Sequence, residues 1–515
     1  MIVFDHSPNG CGMMHEYILK ASNIKKSFEG VQALRGVELA IKKGEIHCLA
    51  GENGSGKSTL IKIISGVYSR DGGEIEFNGK PYPEVTPIQA IMNGIQVIYQ
   101  DLSIFPNMSV MENIAFNSEL AAKKKLVNWG RFRKIAQEAI KQVNLQVDLD
   151  INVENLSIAD KQQVAICRAL INDAKLIIMD EPTTSLTKRE VKQLFGIIKE
   201  LQSRTIAILF ISHKMDEIFD LSEHITILRN GENVFSGSTG DLDNKKFSFY
   251  MTGRKIEPSV FKAKNISDKP VFEVKNLMLE NGYYDISFQL HRGEILGLVG
   301  LLGSGRTEIA LSLFGIMQPD SGKCYKDGRE IVMKSPSDAI SNKICYVPED
   351  RLTEGLFMER SIGKNITIAE IDRLANKIGI LKSRMMNEEI DRLVDKLKIA
   401  TPNPNNPVNT LSGGNQQRVV LAKWLALNMD VLILNGPTVG VDIGSKYDLH
   451  SILHQLAENG LSILIISDDI PEVLENCSRV LLMRGGRITD EIDPHQTNEY
   501  ELSEKITMDV MGVNG

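Results

Sequence analysis

Long apolar runs, paired cysteines and an excess of positive charge are all missing from this sequence. Its 515 residues contain six cysteines, none of them in a Cys-x-x-Cys pair, which argues against a disulfide framework or a zinc site and favours a reducing cytosol. No apolar run approaches the ~20 residues that span a bilayer, and the N-terminus has no basic flank and apolar core of the secretory kind. We therefore expect no direct membrane insertion and membrane association only through a partner.

The charge balance is mildly acidic, with 66 Asp and Glu residues against 59 Lys and Arg residues and a net charge of −7. A protein with a broad nucleic-acid footprint needs clustered basic residues to displace counterions from phosphates, so we expect no nucleic-acid partner. The length is sufficient for two large domains, each with a core of its own.

A glycine-rich loop occurs twice, as residues 51–58 (GENGSGKS) and 300–307 (GLLGSGRT). Lys57 and Arg306 are 249 positions apart (306 − 57), whereas Asp180 and Asn435 further along are 255 apart (435 − 180). Many other positions match at these two offsets, so the chain is a tandem duplication with six extra residues net in its second half.

The repeat predicts the domain boundaries. We expect an unstructured N-terminal extension, with translation starting at Met1 or at Met13 or Met14, and a polar linker broken by prolines between the two copies. The predicted segments are the extension 1–14, the first domain 15–253, the linker 254–269 and the second domain 270–512.

Each half has the order of elements that is typical of an α/β nucleotide-binding core. Apolar runs at 46–50 and 295–299 lead into the glycine loops, and further apolar runs follow at 176–179 and 431–434. Between them lies a helix-rich stretch, for example residues 131–143. Strand, glycine loop and helix in this order predict an α/β fold in both halves.

The first glycine loop has the complete pattern of a triphosphate cradle. Glycines let successive backbone N–H groups point at phosphate oxygens, Lys57 reaches the β- and γ-phosphates, and the Ser58 hydroxyl ligates Mg²⁺. The alternative is an ordinary glycine turn. The candidate ATP-binding residues of this loop are Gly51, Glu52, Asn53, Gly54, Ser55, Gly56, Lys57, Ser58 and Thr59.

Two acidic residues follow the apolar run at 176–179. Asp180 and Glu181 would emerge at the carboxyl end of a strand, where ligands lie in such sheets. We expect Asp180 to bind ATP through Mg²⁺ and Glu181 to polarise the attacking water as a catalytic base. Without the phosphate loop, the same residues would suit a turn with a helix cap. Gln100 and His213 have no assignment from the residues alone, and a lone histidine after an apolar run is usually structural.

Together these motifs resemble the ATP-binding cassette superfamily. The resemblance covers nearly all of residues 15–510 and includes the signature 411–417 (LSGGNQQ). Three second-half segments, 303–308, 347–351 and 440–444, resemble the fused ATPase subunits of bacterial importers for ribose, galactose, xylose and arabinose. The resemblance implies two tandem P-loop cassettes, each an α/β core with an α-helical subdomain and an N-terminal antiparallel β part.

The resemblance also assigns residues that spacing alone leaves undecided. It implies that Gln100 binds ATP and Mg²⁺, that His213 acts near the γ-phosphate with Lys57 and Glu181 in catalysis, and that Phe28 stacks on adenine. A buried core phenylalanine is the alternative for Phe28.

In this superfamily each ATP lies between one half's phosphate loop and the other half's signature. The first-half motifs therefore belong with Ser412, Gly413 and Gly414, and this set is intact. The other set is damaged, because Asn435 and Gly436 stand where the importer group keeps Asp-Glu. The damaged set also has Arg306 and Glu349 at the lysine and glutamine positions, Asp468 at the histidine position and Ile158-Ala159 in place of two glycines. We predict one hydrolytic site per chain.

The function implied is an ATPase of the carbohydrate-transporting translocase type, with ATP and Mg²⁺, at the cytoplasmic face of the cell membrane. Its expected partners are membrane permease subunits and, through them, an extracellular or periplasmic sugar-binding protein. An importer of nucleosides or of a sugar-derived signal is the alternative. A soluble tandem-cassette ATPase acting on ribosomes or DNA fits the short linker and negative charge less well. The intact first set argues against a non-catalytic regulatory module.

Overall fold

A computed structural model describes residues 16–28, 31–121, 128–183, 186, 188–255, 261–262, 266–301, 303–376 and 381–507. The chain divides into two compact units, Met1–Ile256 and Glu257–Gly515. The predicted extension 1–14 and part of the predicted linker 254–269 lie outside the described residues, and the four domain boundaries stay predictions.

The first unit alternates strands and helices after an opening hairpin. Its strands are β1 (Tyr17–Phe28), β2 (Val31–Lys42), β3 (Ile46–Gly51), β4 (Gly72–Phe77), β5 (Lys80–Pro81), β6 (Ile95–Ile98), β7 (Leu176–Asp180), β8 (Ala207–Ile211), β9 (His224–Arg229) and β10 (Glu232–Ser238). Its helices are α1 (Lys57–Ile64), α2 (Pro87–Asn93), α3 (Val110–Ala121), α4 (Trp129–Gln142), α5 (Ile158–Leu170), α6 (Lys188–Ser203), α7 (Met215–Leu221) and α8 (Asn244–Thr252).

These strands form two sheets. One is antiparallel with the order β2-β1-β4-β5, and the other has the order β10-β9-β3-β8-β7-β6. In the second sheet all neighbours from β9 to β6 are parallel, and only β10 pairs antiparallel with β9. Every residue of β3 and β8 is buried, which is expected of parallel strands covered on both faces.

The second unit repeats this plan. Its strands are β11 (Pro270–Leu279), β12 (Tyr283–His291), β13 (Ile295–Gly300), β14 (Ser321–Lys326), β15 (Arg329–Ile331), β16 (Ile344–Val347), β17 (Val431–Asn435), β18 (Ser462–Ile466), β19 (Arg479–Arg484) and β20 (Arg487–Ile492). Its helices are α9 (Arg306–Leu313), α10 (Pro336–Ser341), α11 (Ile362–Thr367), α12 (Ile371–Leu374), α13 (Ser383–Lys396), α14 (Gly413–Leu425), α15 (Ile443–Glu458), α16 (Ile470–Asn476) and α17 (Glu499–Thr507).

Its sheets have the orders β12-β11-β14-β15 and β16-β17-β18-β13-β19-β20, the same topology as in the first unit. In each unit three helices between the glycine loop and the last strands pack on one another: α3, α4 and α5 in the first, and α11, α13 and α14 in the second. An α/β core, a helical part and an antiparallel β part are therefore present twice, which confirms the predicted fold class.

Two further observations concern the cysteines and the lengths of the helices. The described cysteines, Cys48, Cys167, Cys324, Cys345 and Cys477, are all buried and free. Within the part of the chain that the structure describes, every helix is too short or too polar to cross a membrane.

Candidate nucleotide-binding site

The first glycine loop connects β3 to α1 through a left-handed backbone. Gly54 has a φ of 81° and Gly56 a φ of 105°, values that residues with a β-carbon rarely adopt. A β-carbon on Gly56 would lie 2.8 Å from the Ala33 carbonyl oxygen, whereas one on Gly54 would meet nothing within 4 Å. Gly56 thus serves packing, and Gly54 leaves one side of the loop open.

Lys57 begins α1 and is buried, with Nζ turned back into its own loop. It donates hydrogen bonds to the carbonyl oxygens of Gly51 at 2.6 Å and Glu52 at 3.0 Å. Ser58 is exposed, and Thr59 is half-buried, in the same first turn. The ammonium group is therefore held at the loop by backbone oxygens, and Ser58 is accessible to solvent beside it.

The parallel sheet brings most of the predicted site residues to one edge. The glycine loop follows β3, His213 follows β8, Asp180 ends β7, and Gln100 follows β6. Because these four strands are adjacent and parallel, their carboxyl ends lie side by side. The exposed Gln100 lies at this edge, and no hydrogen bond joins its side chain to another described residue there.

Glu181 and His213 are in direct side-chain contact at this edge of the sheet. Nδ1 of His213 donates to Oε1 of Glu181 at 3.1 Å, and this hydrogen bond lowers the pKa of Glu181 against the opposing effect of burial. Burial and then the neighbouring Glu181 raise the pKa of Asp180, while Lys57 acts in the opposite direction. The edge therefore holds an ionised carboxylate, fixed by an imidazole, beside a second acid.

The charge at this edge fits a divalent cation that arrives with phosphates. No group of three or more His, Cys, Asp or Glu side chains suited to a metal occurs in the described ranges. Mg²⁺ with a nucleotide needs only one or two carboxylates, since phosphates and waters complete its shell. The pKa of Asp180 is raised first by burial and then by the charge of Glu181, and a bound cation would offset both effects by favouring the ionised carboxylate.

Phe28 ends β1 with its ring 38% exposed, so it is not the buried core residue that was the alternative. The ring contacts the edge of Tyr68, with centroids 5.3 Å apart, and Nζ of Lys26 lies 5.4 Å from its centroid. A partly exposed aromatic ring is suited to stacking with a planar base.

In the second unit the cation of the glycine loop is an arginine that contacts both the loop and a carboxylate. Arg306 begins α9 and donates from Nη1 to the Gly300 carbonyl oxygen at 2.7 Å. Its Nη2 lies 3.6 Å from Oδ2 of Asp468, the residue at the histidine position. The exposed Asp468 carboxylate lies beside the cation that the loop sequence supplies and weakens its attraction for phosphate.

The second unit has no carboxylate at the positions of Asp180 and Glu181. Gly436 has a φ of 55°, and a β-carbon on it would lie 3.0 Å from Cγ of Glu349. Asn435 is buried and hydrogen-bonded to Tyr346, whose pKa is raised mainly by burial. Asn435 and Gly436 therefore supply neither a carboxylate ligand for a metal nor a catalytic base.

The two signature helices differ at their N-termini. In α5 the Ser157 hydroxyl accepts a hydrogen bond from the Asp160 backbone N–H at 3.1 Å, and Asp160 adds a negative charge to the first turn. In α14 the Ser412 hydroxyl makes no such cap and accepts instead from Nδ2 of Asn415 at 2.9 Å. The first-turn amides of α14 thus have no side-chain cap, which leaves them available to bind phosphate.

Sequence reasoning missed one buried acid behind each edge. Oε2 of Glu217 accepts from the hydroxyls of Thr183 at 2.7 Å and Ser212 at 2.9 Å. Glu472 in the second unit binds Thr438 and Ser467 in the same way. The signal was available, because Glu217 and Glu472 are 255 positions apart (472 − 217), as are both pairs of hydroxyl residues.

Comparison with known proteins agrees with this geometry. The chain matches the family described as ABC transporter over residues 34–184 and 283–439, one match in each unit. The matches therefore cover both glycine loops and both strands that end in the Asp180 and Asn435 positions.

Curated relatives match over almost the whole chain. The ribose import ATP-binding protein RbsA of Clostridium perfringens is 40% identical over 504 residues, which is 96% of this chain and 99% of the relative. A putative ribose/galactose/methyl galactoside import ATP-binding protein of Rhizobium meliloti is 37% identical over 489 residues, 95% of each chain. RbsA of Bacillus licheniformis is 36% identical over 484 residues, 94% of this chain and 98% of the relative. The chain therefore belongs to the ABC transporter family, as an ATP-binding protein with two cassettes.

Proposed function

We propose that this chain is the ATP-hydrolysing, energy-coupling subunit of an importer for a monosaccharide. The observation that carries the hydrolytic role is the Glu181–His213 pair, at 3.1 Å, on the same sheet edge as Lys57 and Asp180. The monosaccharide importer is supported by the relatives named for ribose and galactose import. The second unit has Gly436 and Asp468 at the positions of that pair, so hydrolysis belongs to the first unit's residues.

The residues of the edge divide the work of hydrolysis. The ionised Glu181 orients and polarises the attacking water, and His213 holds that carboxylate in place. Lys57 exchanges its bonds to the loop carbonyls for the β- and γ-phosphates of ATP. Asp180, Ser58 and Gln100 would hold Mg²⁺, which neutralises phosphate charge when bound.

Ser412, Gly413 and Gly414 complete this ATP site in our proposal. Support comes from the family resemblance and from the uncapped amides of α14, in contrast to the capped N-terminus of α5. Backbone N–H groups and a helix dipole stabilise charge on the γ-phosphate. This assignment gives one hydrolytic site per chain.

Each unit presents a fixed, exposed phenylalanine that suits a permease. Asn113, 1% exposed, binds the N–H of Phe105 at 2.8 Å and its carbonyl oxygen at 2.9 Å, and the Phe105 ring is 47% exposed. Asn365 holds Phe357, 61% exposed, with bonds of 2.8 and 3.1 Å. Both segments follow the glutamine-position residue, so we assign them to permease subunits at the cytoplasmic face of the membrane, with a sugar-binding protein beyond the permease.

Uptake by a reconstituted complex tests the proposal. The chain is co-expressed with its cognate permease, placed in liposomes with the binding protein, and assayed with labelled ribose, galactose and a nucleoside. We expect ATP-dependent accumulation of a monosaccharide, and an E181Q variant should lose roughly 10²–10⁴-fold in ATPase rate. The D468N variant, changed at the matching region of the second unit, should stay within about twofold of the parent because no hydrolysis is assigned there.

Two results would contradict this assignment. Accumulation of the nucleoside without either sugar would replace the substrate class. An E181Q complex that keeps more than about a tenth of the parental ATPase rate would mean that a second base exists.

A further inference from the structure

Two consecutive residues after Gln100 have a strained backbone. Leu102 has a φ of 59° and Ser103 a φ of 42°, in the left-handed region that residues with a β-carbon avoid. Such a conformation persists only where the surrounding structure holds it. The pair lies just before Phe105 in the chain, so its backbone conformation sets the position of the exposed Phe105 ring.

Arg168, near the end of α5, holds both strained residues. Its Nη1 donates to the Ser103 carbonyl oxygen at 2.7 Å, and its Nη2 donates to that of Leu102 at 3.1 Å. Burial lowers the pKa of Arg168, and no carboxylate of a described residue lies within ion-pair distance of it. The guanidinium is thus half-buried in order to bind two backbone oxygens, and charge-assisted bonds of this kind are the strong ones.

The second unit has the same connection with different residues. Lys423 stands 255 positions after Arg168 (423 − 168), on α14, and its Nζ donates to the Gly355 carbonyl oxygen at 2.8 Å. Gly355 ends a π-helical turn, Arg351–Gly355, that follows Glu349. The loop conformation and the cation both differ between the copies, yet a bond from the signature helix to this segment is present in each.

We propose that Arg168 is a positioning residue that makes α5 and the segment 101–109 move as one body. The segment carries Phe105 toward the permease in the proposed function, on which this inference rests, and α5 begins at the first signature. A displacement of α5 would then reach the permease through Arg168, and a displacement of the segment would reach α5 in the same way.

The test uses the full chain, alone and in the reconstituted complex, with the R168A and R168K variants. K161A is the matched control, because Lys161 lies on the same helix and donates to the Glu154 carbonyl oxygen, outside the segment. We expect R168A alone to keep its ATPase rate within about twofold, while stimulation of that rate by the permease and loaded binding protein falls about tenfold. R168K, which retains one bond, should lie between, and K161A should match the parent.

Hydrogen exchange of the chain alone separates this inference from the proposed function. We expect the amides of residues 102–105 to exchange at least tenfold faster in R168A than in the parent or K161A. If R168A leaves the exchange of these amides unchanged, the inference is overturned, whatever the complex does. If the parental complex shows no stimulation by permease and binding protein, the proposed function fails instead. Parental stimulation in R168A, or basal and stimulated rates that fall in proportion, would overturn the inference as well. If R168A does not fold, R168K decides by the same readouts.

Discussion

Glu181 adopts a left-handed backbone, with a φ of 46°, at the position where the second unit has Gly436 with a φ of 55°. The N–H of each residue donates to the next strand, to the carbonyl oxygens of Ile211 and Ile466. The sheet edge therefore sets this conformation whichever residue occupies it. A β-carbon in this region costs ~1–2 kcal/mol, so the first unit retains strain in return for a carboxylate.

Replacing Glu181 by Gly or Ala measures that strain directly. Both variants remove the carboxylate and its bond to His213, so both should lose at least roughly 10²-fold in ATPase rate. They differ only in the β-carbon, and E181G should be more stable than E181A by about 1 kcal/mol in free energy of unfolding. Urea denaturation of the two proteins, with m-values compared, gives that difference.

A G436A variant is the counterpart in the second unit. It adds a β-carbon at a φ of 55°, 3.0 Å from Glu349, and should be destabilised by ~1–2 kcal/mol while its ATPase rate stays within about twofold. Equal stability of E181G and E181A would contradict a strained Glu181.

At the scale of elements, α14 depends on close packing against α15. A β-carbon on Gly414 would lie 2.3 Å from both Cβ and Oγ of Ser445, in the first turn of α15. Gly414 is therefore required by packing within the second unit as well as by the phosphate role we propose for it. The two requirements are separable by experiment.

A G414A variant should be destabilised by about 1–3 kcal/mol, because one helix N-terminus must shift away from the other. The ATPase rate should fall at least tenfold if the amides of α14 act on phosphate. Adding S445G removes the clashing atoms and should restore most of the stability, as thermal unfolding and a double-mutant cycle would measure.

Gly196, in α6, is the control, since a β-carbon there would meet nothing within 4 Å. G196A should be neutral or stabilising by up to about 1 kcal/mol, with unchanged activity. Loss of stability in G196A equal to that in G414A would remove the packing explanation.

The elements also show what the sequence could predict. Apolar runs and glycine loops predicted β3, β7, β13 and β17, and the repeat predicted the second unit from the first, because burial on both faces leaves continuous apolar runs. The placement of Asp180 and Glu181 followed from the strand before them. The left-handed Glu181 and the Arg168 bonds could not be predicted, since each depends on contacts between residues distant in sequence. The Asn113 bonds span only eight positions, but they depend on a loop conformation that no motif in the sequence indicates.

At the scale of the whole molecule, the two units differ in the titratable groups on one matching helix. The second unit carries His450 and His454 on α15, where the first has Phe195 and Lys199 on α6 (450 − 255 and 454 − 255). The His454 ring stacks on Phe261, with centroids 4.5 Å apart. Burial, and then the neighbouring His450, lower the pKa of His454 to about 4. The second unit alone should therefore lose stability in mild acid through this helix.

The stability of the second unit should depend on pH because the folded and unfolded chains bind the His454 proton with different affinity. The pKa of His454 is about 4 in the folded protein, below the ordinary 6.5, so between these values the unfolded chain binds the proton more readily. Stability should fall as pH decreases from 6.5 to 4 and show no further loss from this group below 4. After allowance for solvent screening, we expect a loss of ~2 kcal/mol, or about 4–8 °C in Tm.

The fluorescence of Trp424, which is 8% exposed, reports the unfolding of the second unit once Trp129 is replaced by Phe, since the chain has only these 2 tryptophans. In that background, H454F keeps an aromatic ring against Phe261 but does not titrate. The drop in Tm between pH 6.5 and 4 should therefore be smaller in H454F than in the parent, by the few degrees assigned to His454. H495Q, at an exposed histidine, should follow the parent. A parental and an H454F profile of equal slope would mean that His454 does not govern the acid sensitivity. Acid would then act in this range through other groups. Glu472, whose pKa is lowered to about 2 by His450 against the effect of burial, loses its stabilising contribution only below about pH 4.5 and cannot account for a change between pH 6.5 and 4.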